Sequence, residues 1–402
     1  MQRLPVLVGA AVAVRVRYPV SLVGGRDTQA GLTVAPRIRR FGPAVLAVAV
    51  VLYVVVYALW PSLATQVDLQ VYRFAALRLW HGLDLYSIGL TGNSKELLFI
   101  YPPFAALCFL PLALVGEPVV QVLWLTLTWA LIVWAIWRML KSMAPARTPG
   151  LWSLVALLVG VVAWLEPIRL TLQLGQINVV ILALVMADLL SSAQRRWAGV
   201  GIGIAAGLKL TPALFIVYLA ATGRLRAASV AAVTLVATIA AGFVLLPAGS
   251  TFYWLRHGFD DPGRIAQHPF ASTANASLGG LLMRLHVPPA PVAVAAVVMA
   301  VAAVTLAAVA YRRGHAVLGS ALVGMASAAV SPFSWSHHWV WFAPLLVHLG
   351  YRAHVLRSRS STWTFWALAA LLGGWFTSFG EHRESGVLSL RPGGIWKDII
   401  PG

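Results

Sequence analysis

A few polar residues stand out in an otherwise apolar chain, and their types suit chemistry at a hydroxyl or a phosphate. Asp68, in Gln66-Val-Asp-Leu-Gln-Val-Tyr-Arg73, comes shortly after an apolar run (44–60) and is one of only 12 acidic residues. A carboxylate among aromatic and apolar neighbours at a membrane edge is partly desolvated and suited to act as a general base. It also reads as a helix cap, since Asp ahead of Leu-Gln-Val-Tyr-Arg is a fair N-cap. Lys209 is the odd charge in the apolar run 199–221. A charge at the centre of a span costs roughly 2.5–3.5 kcal/mol, so such a residue either marks a site, here one able to pair with a lipid phosphate, or snorkels to the interface. His337 and His338 adjoin each other in Ser331-Pro-Phe-Ser-Trp-Ser-His-His-Trp-Val-Trp341. The tryptophans, Trp335 among them, read as an interfacial belt. The histidines read as a phosphate ligand, a proton donor or a polar cap.

Weaker candidates follow. Gln173, Gln176 and Asn178 open a span; such amides bond sugar hydroxyls or tie helices together. Asp84, in Gly82-Leu-Asp-Leu-Tyr86, follows a glycine and reads as a turn closer. Arg256, Asp260, Asp261, Arg264, His268, Asn275 and Arg284 together suggest a polar binding surface on one long loop.

The elements that must position these residues are apolar helices. The 402 residues are 60% hydrophobic and 10% charged, with mean hydropathy +0.82. Soluble domains carry roughly 25% charged residues. The chain is therefore read as an all-α, polytopic integral membrane protein, because only helices and closed barrels satisfy the backbone in lipid. Its single cysteine, Cys108, excludes a disulfide framework. No Gly-rich phosphate loop and no zinc-type His pair appears, so no metal or cofactor is expected.

About 11 spans (10–12) are expected, at 44–60, 118–137, 150–166, 176–192, 197–209, 211–222, 226–247, 289–311, 315–330, 338–350 and 362–379. Residues 1–40 are expected as a cytoplasmic tail, 41–380 as the membrane domain and 381–402 as a C-terminal tail. Alternating the loops puts Arg37, Arg39, Arg40, Arg138, Lys141, Arg147, Arg195, Arg196, Arg224, Arg226, Arg312, Arg313, Arg352, Arg357 and Arg359 on one side. That side holds nearly all of the net +18, which marks it as cytoplasmic. The charge is thus a topology signal and an attraction to anionic lipid, not a nucleic-acid footprint. The opposite, outer face collects loops 61–117 and 248–288 and all the candidates above. For Arg138, Lys141 and Arg147 to stay inside, residues 102–115 must form a re-entrant or juxtamembrane helix. The alternative is a short twelfth span. Pro102-Pro103 suits a helix start.

Seven short motifs, in order, resemble the polyprenyl-phosphate-mannose-dependent mannosyltransferases of glycosyltransferase family 87, which have the GT-C membrane fold. They are Asp-Leu-Gln-Val-Tyr-Arg (68–73), Gly-Leu-Asp-Leu-Tyr (82–86), Tyr-Pro-Pro-Phe (101–104), Gly-Gln-Ile-Asn (175–178), Leu-Lys-Leu-Thr-Pro (208–212), Asn-Ala-Ser-Leu-Gly-Gly-Leu-Leu (275–282) and Ser-Pro-Phe-Ser-Trp-Ser-His-His (331–338). The resemblance covers about 45–379. It implies that Asp68 is the catalytic base, and that Lys209, His337 and His338, with Arg73 and Tyr101, serve the donor phosphate and sugar. Asp84, Gln176, Asn178, His268, Asn275 and Trp335 are expected to contact acceptor or sugar. The family commonly has Gln where this chain has Ala276, so the second loop's acceptor contacts are not carried over.

The resemblance implies mannose transfer from polyprenyl-phosphate-mannose to a glycolipid or lipoglycan of the actinobacterial envelope: a phosphatidylinositol mannoside, lipomannan or lipoarabinomannan. The linkage expected is α, preferably α-1,2, formed with inversion at the outer face of the plasma membrane. The base then plays the part it has in inverting glycoside chemistry, with a sugar hydroxyl in place of water. A second reading is a transferase of another polyprenyl-phosphate sugar, such as arabinofuranose. A reading from another class is a transporter or flippase, which predicts midplane charges and an internal repeat; neither is visible.

Overall fold

Apolar runs punctuated by Pro, Gly and charge fold as helices throughout. The computed structural model describes residues 32–373, apart from 60, 62–64, 93–96, 146, 193–194, 257, 259–263, 265–270 and 273. The expected C-terminal tail, most of the expected N-terminal tail and His268 lie outside the described residues. Among those residues there is no β-strand.

Helices α1 (Pro36–Leu59), α2 (Val67–Trp80), α3 (Pro103–Phe109) and α4 (Glu117–Met143) are followed by α5 (Leu151–Ala163), α6 (Glu166–Leu174), α7 (Asn178–Leu189) and α8 (Val200–Leu208). Then come α9 (Leu214–Ala221), α10 (Leu225–Leu245), α11 (Leu278–Arg284), α12 (Pro289–Arg312), α13 (Ala316–Ala329), α14 (Phe342–His354) and α15 (Arg359–Leu372).

Among the described residues, four helices are long and apolar enough to cross a bilayer: α1, α4, α10 and α12, with 24, 27, 21 and 24 residues. At 1.5 Å per residue, 24 residues reach about 36 Å, past the roughly 30 Å hydrocarbon core. Helices α5 and α6 form a fifth only as one span bent by 74°. By length, then, the described residues hold four or five spans where the sequence suggests about 11. The other expected spans are helical over shorter stretches, because Gly175-Gln176, Lys209 with Pro212 and the turn 331–341 interrupt them.

The long helices carry exposed apolar stripes, such as Val48, Val51 and Val54 on α1 and Val294, Val297, Val298 and Val301 on α12. Surface of that kind belongs against lipid, so the chain is a membrane protein. Helix α1 lies close against α5: a Cβ on Gly42 would fall 2.1 Å from the Ser153 carbonyl oxygen, the small-residue approach that packs membrane helices.

Residues 102–115 form α3 and a 3-10 turn, Leu110–Leu114. Together they are too short to span, and they pack against α2, α8 and α10. Pro102 is extended and Pro103 opens the helix, as expected of an X-Pro start.

Candidate functional site

Asp68 sits in the first turn of α2, where the exposed backbone N–H groups favour a carboxylate. The capping reading is corrected here: the N-cap is Gln66, in the left-handed region at φ 45°, and no side chain caps the helix. Tyr72 lies one turn further along the same face. Leu69, Val71, Tyr72, Ala75 and Ala76 are the buried residues of α2.

A partner for Asp68 comes from the end of α6. Gly175 closes that helix at φ +69°, and a Cβ there would lie 2.7 Å from the Leu69 Cβ. Only glycine allows both this backbone and this approach. The Gln66 N–H donates to the Gln173 carbonyl at 2.9 Å, joining the start of α2 to the end of α6. Gln176 thereby meets Asp68, and its Nε2 donates to Asp68 Oδ2 at 2.7 Å. The Gln176 Oε1 accepts from Tyr72 at 3.0 Å and Tyr101 at 3.2 Å, and the two hydroxyls are 2.8 Å apart.

Lys209 occupies the break between α8 and α9, extended at φ −153°. Its Nζ donates to Asn178 Oδ1 at 3.1 Å and sits 5.7 Å from the Tyr101 ring centroid. Asn178 Nδ2 in turn donates to the His337 carbonyl at 2.9 Å. Asn178 thus ties Lys209 to the 336–339 turn that carries both histidines.

Asp68, Tyr72, Tyr101, Gln176, Lys209 and the two histidines face one cavity of about 600 Å³, which Asn178 does not line. Asp68, Tyr72, Tyr101, Gln176, Lys209, Arg264, Trp335, His337 and His338 line its polar part, while Leu97, Ile100, Leu170, Leu174, Leu214 and Phe333 are among its apolar walls. Arg264 reaches it from the second long loop, 5.6 Å from the Tyr86 ring and 5.0 Å from the Phe252 ring, and donates to the Phe99 carbonyl at 3.3 Å.

Burial raises the Asp68 pKa from 3.8 to about 6, against the pull of the Gln176 hydrogen bond and the Lys209 charge. The carboxyl is still mostly ionised at neutral pH and is a stronger base than a free carboxylate. Burial, reinforced by Lys209, lowers the His337 pKa well below its ordinary value. His337 is thus a neutral imidazole that can donate an N–H but brings no charge. Among the described residues, no three His, Cys, Asp or Glu side chains converge as a metal site would need.

The remaining candidates serve the scaffold. Asn275, fully buried, accepts from the Ser277 and Ser334 N–H groups at 3.1 and 3.0 Å and donates to the Pro332 carbonyl at 3.0 Å. It clips the 331–338 segment to α11 and does not line the cavity. Asp84 Oδ1 accepts from the Tyr86 and Ser87 N–H groups at 2.8 and 2.7 Å, an Asx turn. Arg73 donates to the Val115 carbonyl from two nitrogens, at 3.3 and 3.2 Å. Neither Arg73 nor Asp84 reaches the cavity. Sequence reasoning passed over Tyr72, although its spacing of four from Asp68 is a helical-face signal. Arg264 was only one of a loop set; nothing local distinguishes it from its neighbours.

The family model described as Glycosyltransferase family 87 matches residues 99–332. A polyprenol-phosphate-mannose-dependent alpha-(1-2)-phosphatidylinositol pentamannoside mannosyltransferase of Mycobacterium tuberculosis is 33% identical over 336 residues, covering 80% of this chain and 75% of the relative. The enzyme of the same name from Mycolicibacterium smegmatis is 31% identical over 379 residues, 90% of each chain. A polyprenol-phosphate-mannose-dependent alpha-(1-2)-phosphatidylinositol mannoside mannosyltransferase of the same species is 31% identical over 364 residues, covering 84% of this chain and 80% of the relative. No solved structure matches significantly.

Proposed function

The chain belongs to glycosyltransferase family 87, and from that premise we propose that it transfers mannose from polyprenyl-phosphate-mannose to a phosphatidylinositol mannoside, forming an α-(1-2) bond. The activity its relatives are named for, over alignments that cover three quarters or more of both chains, supports donor, acceptor class and linkage. The observation that carries the reading to this chain is the convergence of Asp68, Lys209 and His337 on one largely apolar cavity.

The mechanism follows from that geometry. The donor's sugar-phosphate occupies the polar part of the cavity and its polyprenyl tail leaves toward lipid. An acceptor hydroxyl gives its proton to Asp68 as its oxygen attacks the anomeric carbon. The bond from that carbon to the phosphate oxygen breaks, and the electron pair stays on the phosphate. A single displacement of this kind inverts a β-linked donor to an α product. Asp68 Oδ2 is held by Gln176, and no described residue bonds Oδ1, which is left to take the proton. The Lys209 ammonium stabilises charge on the departing phosphate, and His337 adds an N–H donor. Fixed charges and dipoles of this kind act where charge develops, in a site that excludes water.

The architecture belongs to the same proposal: a GT-C fold of about 11 membrane passages, several short or broken, spanning 41–380. The basic loops lie in the cytoplasm, and the cavity opens at the outer face of the plasma membrane. The lopsided charge and the juxtamembrane length of residues 102–115 support this orientation.

The test is transfer of radiolabelled mannose from synthetic polyprenyl-phosphate-mannose to phosphatidylinositol mannosides by the reconstituted protein, with linkage analysis. Asp68→Asn is expected to lose on the order of 10²-fold or more. Normal transfer by a folded Asp68→Asn protein sinks the base assignment; no mannose transfer by wild type sinks the donor.

A further inference from the structure

We infer that Gln176 is a positioning residue for Asp68, locked by the hydroxyls of Tyr72 and Tyr101, and not a ligand of the sugar. The inference rests on the proposed role of Asp68 as base. An ionised carboxylate only accepts hydrogen bonds, so the amide end at 2.7 Å from Asp68 Oδ2 must be the NH₂. The carbonyl end is then Oε1, and two tyrosine hydroxyls reach it at 3.0 and 3.2 Å.

Both tyrosines are fixed in place. Tyr72 stacks on Phe109 with ring centroids 4.5 Å apart and planes 4° from parallel. It meets Tyr101 edge-on at 5.2 Å and 87°. Burial raises the pKa of both phenols above the ordinary value, so both remain O–H donors. A flipped amide would set its oxygen against the carboxylate and leave the hydroxyls without their acceptor. Gln176 is itself buried, at 5% exposure, and its backbone N–H is held by the Thr171 carbonyl at 2.9 Å.

The arrangement has two effects on Asp68. It fixes the carboxyl plane by bonding Oδ2, which directs Oδ1 as the proton acceptor. It also favours the ionised form, because the bond is stronger to a carboxylate than to a carboxylic acid. The other groups facing Asp68 are Lys209 from the α8–α9 break, Tyr72 on its own helix and Tyr101 ahead of α3. Arg264, His337 and His338 line the same cavity.

The experiment is the pH profile of kcat/KM for mannose transfer by the full-length protein in proteoliposomes. Wild type should show an acid limb near pH 6. In Gln176→Leu the limb should move up by about one pH unit, the worth of one charge-assisted hydrogen bond. That is a loss of about tenfold at pH 5 that largely disappears by pH 8.5, with the donor KM changed less than twofold. Tyr72→Phe and Tyr101→Phe should each shift the limb by less than half as much, since either hydroxyl still holds Oε1, while the double variant should approach the Gln176→Leu profile. If Gln176→Leu does not fold, the double tyrosine variant carries the same test. An unmoved limb with a raised donor KM makes Gln176 a sugar ligand and overturns the inference. Asp68→Asn is run in parallel. Its inactivity at every pH, together with an unmoved limb in the Gln176 and tyrosine variants, defeats the positioning inference alone; full activity defeats the base reading beneath it.

Discussion

Lys209→Met removes one charge while keeping an unbranched apolar stem in the same space, and two losses should follow. The first is at the leaving phosphate. Removing one preorganised donor from a developing oxyanion typically costs about 10²–10³-fold, or about 2.7–4 kcal/mol, and Lys209 is such a donor in a site walled by leucines. The second is at the base. Burial raises the Asp68 pKa to about 6 even with Lys209 pulling it down, so losing that pull raises it further. A rise of about one unit leaves half of Asp68 protonated at pH 7, a loss of only about twofold. The expected total at pH 7 is therefore a few hundred-fold in kcat/KM, nearly all from the phosphate. Proteoliposome assays at pH 5.5 and 7 separate the two parts, because only the base-derived part deepens as pH falls through the Asp68 range. Lys209→Arg should retain more activity than Met, though its planar fork does not reproduce a compact ammonium. If folded Lys209→Met stays within about fivefold of wild type at both pH values, Lys209 does not serve the phosphate. If the deficit is only about twofold at pH 7 and deepens to about eightfold at pH 5.5, it acts only through Asp68.

The remaining predictions concern Asp68, Asn275 and Asp84. Because the folded Asp68 pKa is raised from 3.8 to about 6, the folded state binds more protons than the unfolded between those values. Its contribution to stability is therefore most favourable below about pH 4 and is lost as pH rises through about 6. Asp68→Asn should thus melt no lower than wild type at pH 7.5, with a gain of up to about 3 kcal/mol trimmed by the partner lost to Lys209; a clear fall in Tm would refute it. Asn275→Ala breaks three hydrogen bonds, two of them buried, and should cost about 2–4 kcal/mol, with activity falling in step with folded fraction in thermal melts. Asp84→Ala should cost about 0.5–2 kcal/mol and leave the kcat/KM of the remaining folded protein within twofold, whereas a raised KM would restore it to the binding site.

Several cavity-lining residues were legible because of chemical contrast. Asp68, Lys209 and the two histidines are polar groups in apolar runs, and a one-dimensional reading finds such exceptions. Arg73, Asp84 and Asn275 looked equally exceptional. Yet the structure turns their polar atoms to the Val115 carbonyl, to the 86–87 N–H groups and to the 331–338 segment. A polar side chain near a membrane surface has the same sequence signature whether it faces a ligand or a backbone group. Tyr72 went unnoticed because an aromatic between Val71 and Arg73 looks like ordinary core until Gln176 is known to sit opposite.

Composition and long apolar runs determined that this is a helical membrane protein, because 60% hydrophobic residues in runs of that length suit helices and not the alternating strands of a closed barrel. The order of motifs determined the family. Only the tertiary structure decided that the ends of α2 and α6 meet through Gly175, across more than a hundred residues of sequence, and that Asp68 therefore faces an amide held by two tyrosines. Hydropathy is a local sum over neighbours in sequence. A hydrogen bond depends on separation in space, and the packing of the bundle sets that distance.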